Sequence, residues 1–189
     1  SVTGEAGAII DGSGSGTVVS ISANDVTLQG FTIQNSGTGD TDAGVNLTSV
    51  SGCTVISNTV TGNANGIGVV FASGNFVTGN TVDANTRYGI ALVAGTGNTL
   101  DLNTVTGNGL DAIALDNASV VGGSVGMGST GNFIQGNVIT SNHDGIFLGE
   151  NCDGNLITDG NQLTNIASIG ISAWRSDGHT ITGNTIYSG

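Results

Sequence analysis

The sequence predicts an all-β parallel solenoid, a single domain over residues 1–189. Three observations carry that expectation. Gly74–Thr96 and Gly97–Ser119 keep their Asn, aliphatic and Gly-Ile or Ala-Ile positions in step, about 23 residues apart. Gly numbers 34, Pro is absent and charged residues are only 8%, a composition rich in β-branched and turn-forming residues. No long segment shows the 3.6-residue apolar stripe of a helix.

The repeat resolves into columns. Asn58, Asn80, Asn103, Asn137, Asn161 and Asn184 form one. Two residues later stand Val60, Val82, Val105, Ile139, Leu163 and Ile186. Before the Asn stand Val55, Val77, Leu100, Ile134, Ile157 (shifted by one) and Ile181. A further strand supplies Ile67, Ile90, Ile113, Ile146 and Ile171. Residues i and i+2 share one face of a strand, so each unit offers short apolar segments broken by Gly and Asn. One unit cannot bury its apolar face alone, and stacking turns each column into a continuous row. The Asn column lies at an inward bend, where a buried amide must hydrogen-bond, so an internal Asn ladder is expected. Counting gives about seven coils of roughly 22–24 residues and a half coil. Two are longer, with loop insertions at about 36–43 and 120–130.

This pattern resembles the right-handed parallel β-helix repeat family, the architecture of pectate lyases and related carbohydrate-active proteins. The segments that carry the likeness are of the type GNTVTGN, as at Gly79–Asn85 in its variant GNTVDAN, with a following Gly-Ile-x-Leu. Gly7–Gly37 is similar to the opening of periplasmic copper-accessory β-helix modules. The resemblance implies the fold; its members include lyases, hydrolases, epimerases and plain scaffolds, so it leaves the activity open.

Charge narrows the function. Asp plus Glu total 14 against two Arg, with a net charge of −12. Nucleic acid is therefore excluded as a partner, since phosphate binding needs a basic surface. No apolar run is long enough for a helical membrane span.

Register picks out candidate residues. Asp111 and Asp144 precede Ala-Ile and Gly-Ile in successive coils, with Arg87, Tyr88 and His143 alongside. Two carboxylates about 5 Å apart would raise one pKa or share a cation, and His and Tyr complete a set suited to acid–base work. The same residues also make an ordinary solvent-facing turn. Neither the Asp-Pro-His of epimerases nor a polygalacturonase-type Asp-Asp pattern occurs. Trp174 and Arg175, expected on the same side as the patch of Asp111 and Asp144, offer a sugar-stacking or contact surface, or a cover for the core. Cys53 and Cys152 should lie about 19 Å apart, too far for a disulfide, and are either buried small residues or thiols for a neighbouring chain. No metal site is legible; calcium at the carboxylate pair is the one ion left open, although the calcium-binding Gly-Gly-x-Gly-x-Asp repeat does not recur.

No capping helix is legible at either end, which suggests either a piece of a longer polypeptide or edges covered by other copies stacked end to end. These features favour a non-catalytic, extracytoplasmic structural module, whether extracellular, on the cell surface or periplasmic, that assembles end to end. The alternative is a polysaccharide-binding or polysaccharide-modifying protein of lyase, hydrolase or epimerase type, with cell-surface polysaccharide as its partner.

Overall fold

Short β-strands separated by tight bends wind this chain into a coil. The computed structural model describes residues 1–117 and 126–187, so most of the expected second insertion, Val120–Val125, lies outside the described residues. Every strand pairing is parallel, between consecutive coils. Three sheets result. Sheet A runs from Val2–Thr3 to Thr180–Ile181 in eight strands, and sheet B from Ile9–Asp11 to Thr185–Tyr187 in eight. Sheet C runs from Val19–Ile21 to Ile171–Ala173 in seven. The protein is thus a parallel β-helix of about eight turns, without helix among the described residues.

The expected columns stack. Val60, Val82, Val105, Ile139 and Leu163 are registered neighbours in sheet B, all fully buried. Val55, Val77, Leu100, Ile134 and Ile157 do the same in sheet A. Ile67, Ile90, Ile113 and Ile146 follow in sheet C. Each such side chain contributes about 1.5–3 kcal/mol on burial, and successive coils share the stabilisation.

At the corner between sheets A and B one residue per coil takes positive φ, as at Ser57, Gly79, Leu102 and Gly136. That bend turns the backbone N–H of the next residue inward, where no strand neighbour can take it. Asparagine answers this need. Asn80 Oδ1 accepts from the Asn58 N–H at 3.0 Å and from Asn58 Nδ2 at 3.1 Å. Asn80 Nδ2 donates to Asn103 Oδ1 at 3.0 Å and to the Val55 carbonyl at 2.9 Å. The same pattern continues through Asn137 and Asn161 to Asn184.

The helix holds three such ladders, where the sequence reading identified one. The second is Asn75, Asn98, Asn132 and Asn155, entering sheet A. The third is Asn63, Asn85, Asn108 and Asn142, between sheets B and C. Other residues take ladder places at the margins. The Cys53 N–H donates to Asn75 Oδ1 at 2.9 Å, and His179 Nδ1 accepts from the Asn155 N–H at 3.3 Å. Both thiols are free and fully buried. They occupy different columns, because Cys152 Sγ lies 3.3 Å from the Ser129 N–H in a row three residues ahead of the Asn ladder.

Candidate functional site: a groove along sheet C

The outer face of sheet C is where small side chains and long ones sort themselves. Its middle outward row reads Asn46, Gly68, Ala91, Ala114, then Phe147 and Ser172. Gly68, Ala91 and Ala114 leave the surface low over three consecutive rungs. On one side stands the row Thr48, Val70, Val93 and Asp116. On the other rise Asp40 and Thr41, from the first insertion, with Asn65, Arg87 and Tyr88. Together they enclose a groove of about 400 Å³.

The insertion forms this wall through specific bonds. Asp42 Oδ2 accepts from the Gly39 N–H at 2.8 Å and closes the loop. Asn65 Nδ2 donates to the carbonyls of Asp40 at 2.9 Å and Asp42 at 2.8 Å. Arg87 Nη1 meets Asp40 Oδ1 at 2.8 Å, and its guanidinium lies 5.7 Å from the Tyr88 ring centroid. At Gly68 on the floor a Cβ would sit 2.9 Å from Asn46 Oδ1, so any larger residue there would displace that amide. Three buried side-chain atoms among the described residues lack a hydrogen-bond partner: Asn46 Oδ1, Asn65 Oδ1 and Arg87 Nε. All three residues line this groove. Elsewhere the fold provides partners for the amide of each ladder asparagine, so their convergence here points to a polar ligand.

The predicted carboxylates continue one rim. Asp111 and Asp144 are registered neighbours on adjacent coils, and His143 Nδ1 lies 3.2 Å from Asp144 Oδ2. Their environments push them apart. Asp111 is raised to about 6, first by burial and then by the charge of Asp144. Asp144 also feels burial as an upward push, but the Ile169 N–H at 2.8 Å, Ser168 and His143 outweigh it and hold it below the ordinary carboxylate range. Tyr88 is raised, by burial first and by Asp111 second. Asp116 is raised by burial, with the Asn117 N–H opposing it. A carboxyl that gives up its proton only near pH 6, beside one that ionises at lower pH, is the division of labour an acid–base pair needs.

Arg87 and Tyr88 therefore stand in the groove wall, with Asp111, Asp144 and His143 further along the same side. Trp174 is half-exposed, and its backbone N–H donates to the Leu148 carbonyl at 2.8 Å. That bond continues the row of Asp116 and places Trp174 two coils past it, along the opposite side from Asp111 and Asp144 and not on the same side as expected, because it follows the inward Ala173 at the far end of its strand. The Arg175 guanidinium stacks 4.6 Å from the Trp174 ring centroid, while its Nη1 reaches Glu150 Oε1 at 3.3 Å. The sequence reading missed Asp40, Asn46 and Asp116. The signal for them was the run of small residues, Gly68, Ala91 and Ala114, at one outward register position.

A β-helix with a groove along one sheet face is the class of protein that fold and site define. The chain belongs to the family described as periplasmic copper-binding protein (NosD), whose model matches residues 4–125 and again 118–189. That description agrees with the expected extracytoplasmic location. No curated protein matches the chain. Among solved structures it is similar to an alginate lyase from Paenibacillus sp. str. FPU-7, with a TM-score of 0.68 and 14% identity over 90% of this chain and 66% of that one. It is also similar to the periplasmic alginate epimerase AlgG, with a TM-score of 0.65 and 17% identity over 85% of this chain and 45% of that one. A third is the A-module of the Azotobacter vinelandii mannuronan C-5 epimerase AlgE4, with a TM-score of 0.58 and 15% identity over 92% of this chain and 56% of that one. The chain thus spans only part of each of these structures, and at such identities the likeness is one of fold.

The family description implies copper, which favours converging His, Cys and Met ligands. Among the described residues no three of His, Cys, Asp and Glu are grouped so as to hold a metal. Cys53 and Cys152 are buried, and His179 is engaged by Asn155 and Ser176. The described donor set does not fit a resident copper ion.

Proposed function

We propose that this chain is an extracytoplasmic polysaccharide-binding β-helix whose sheet C groove holds a glycan strand. The observation that carries the reading is the gathering of Asn46 Oδ1, Asn65 Oδ1 and Arg87 Nε, all buried and without partners, in the walls of one groove. A sugar supplies hydroxyl donors and acceptors at close spacing, and Tyr88 and Trp174 offer faces for its rings. On a bound sugar, Asp111 is suited to donate a proton and Asp144 to accept one, so modification of the glycan is the chemistry this rim supports. The fold likeness to alginate-acting enzymes agrees with a glycan ligand without specifying it.

The test is a glycan array with the native chain and Ala91→Leu, which fills the floor. Binding of at least one polysaccharide class by the native chain, lost in Ala91→Leu with an unchanged unfolding midpoint, is expected. No binding, or binding indifferent to Ala91→Leu, rejects the groove as the site. Reducing-sugar and unsaturated-uronate assays on Asp111→Asn and Asp144→Asn then separate binding from turnover.

A further inference from the structure

We propose that the groove selects a basic amino-sugar polymer, a glycan bearing free ammonium groups, over a uronate polymer. This deepens the polysaccharide reading and rests on it.

Charge comes first. Asp40 and Asp116 stand on opposite walls, with Asp111 and Asp144 further along one rim. Against Asp40, Asp116 and Asp144, with Asp111 only partly charged near pH 6, the groove sets one guanidinium, Arg87, already paired with Asp40 at 2.8 Å. The chain has no Lys, and its other Arg, Arg175, faces Glu150 at 3.3 Å. A uronate strand would bring further negative charge beside Asp116 with no free cation to balance it. Partial burial of the groove makes that repulsion larger than it would be in bulk water.

Hydrogen-bond polarity points the same way. Asn65 is more than nine-tenths buried, at 7% exposure. Its amide orientation is fixed, because Nδ2 already donates to the Asp40 and Asp42 carbonyls. Asn65 Oδ1 is therefore an acceptor in want of a donor. An ammonium offers three donors and no acceptor, whereas a carboxylate offers acceptors only. The single donor in want, Arg87 Nε, is suited by one hydroxyl or ring oxygen of the same sugar.

Spacing favours a polymer over a metal ion. Asp116 lies three rungs along the sheet from Thr48, roughly 14 Å at the spacing of paired strands. Among the described residues no three carboxylates, His or Cys share a point where one cation could sit. Negative charge spread along a groove matches positive charge spread along a chain.

Calorimetry at pH 6 and low salt, with hexamers of glucosamine, N-acetylglucosamine and mannuronate, tests this. The glucosamine hexamer should bind at least tenfold more tightly than either of the others. Asp116→Asn should weaken that binding about tenfold, while Asp83→Asn on sheet B leaves it within twofold. Equal or tighter binding of mannuronate or N-acetylglucosamine overturns the amino-sugar assignment and leaves the polysaccharide reading standing. An equal loss in Asp83→Asn also overturns it, by showing diffuse attraction to an acidic surface. Failure of all three hexamers, together with a blank glycan array, removes both readings.

Discussion

Replacing Asn103 by Ala should be among the most damaging single changes available to this fold. Asn103 is fully buried at the middle of its ladder. Its Oδ1 accepts from the Asn80 N–H and from Asn80 Nδ2, both at 3.0 Å. Its Nδ2 donates to the Val77 carbonyl at 2.9 Å and to Asn137 Oδ1 at 3.0 Å. Alanine would leave the Asn80 N–H without its acceptor and the Val77 carbonyl without this donor, in a place with little access to water. Other members are better protected, since Asn137 Oδ1 keeps the Asn103 N–H and Asn80 Nδ2 keeps the Val55 carbonyl. One unsatisfied N–H at about 1–3 kcal/mol, the lost amide–amide bonds and a small cavity give a loss of roughly 2–4 kcal/mol, since the Val77 carbonyl keeps its place in the sheet A ladder. Asn184, part-exposed at the last rung, has water as a substitute partner, so Asn184→Ala should cost about 1 kcal/mol. Guanidinium unfolding followed by far-UV circular dichroism at 25 °C measures both. A cost for Asn103→Ala of about 1 kcal/mol or less, or one equal to that of Asn184→Ala, would refute the ladder as a source of stability.

Further outcomes follow from the same geometry. Asp111 has a folded-state pKa raised to about 6, so the folded state binds its proton more tightly than the unfolded state does, and stability falls as pH rises from about 4 to about 6. Asp111→Asn should flatten that slope and, after allowance for partial solvent screening, stabilise the chain at pH 7 by about 1 kcal/mol, as read from unfolding midpoints across pH. Leu102 is exposed and held at φ 54°, a region that disfavours a bulky side chain, so Leu102→Gly should stabilise by about 0.5–1 kcal/mol in urea titrations. Cys152 is pushed up to about 11 by burial, and Cys53 is as fully buried; both thiols should resist a thiol reagent at pH 8 in the native state and react fully in denaturant.

The fold was legible because its determinants recur. Val60, Val82 and Val105 stand at one spacing, and their stacking follows from that spacing alone. Asp111 and Asp144 were legible together for the same reason, since register carries any residue that precedes the Gly-Ile or Ala-Ile pair. Two of the three ladders escaped because alignment on Asn-Thr-Val marks only one corner. The missed signal was a five-residue beat, as in Asn75, Asn80 and Asn85, or Asn98, Asn103 and Asn108. The groove was less legible for a physical reason. Gly68, Ala91 and Ala114 act through the volume they do not fill, and Asp40 reaches Arg87 only once the loop has folded across a coil.

The ladders also give the rod an arrow. In each of them the amide nitrogen of one coil donates to the amide oxygen of the next coil towards the C-terminal side, as from Asn63 to Asn85 and from Asn75 to Asn98. The small dipoles therefore align down the axis instead of cancelling, and each polarises its neighbour. A rung can extend the row only with its oxygen facing the rung before it. Phe31, Ser36 and Cys53 supply the backbone N–H groups that start the three rows, so the polarity is set by the coil that precedes each first asparagine.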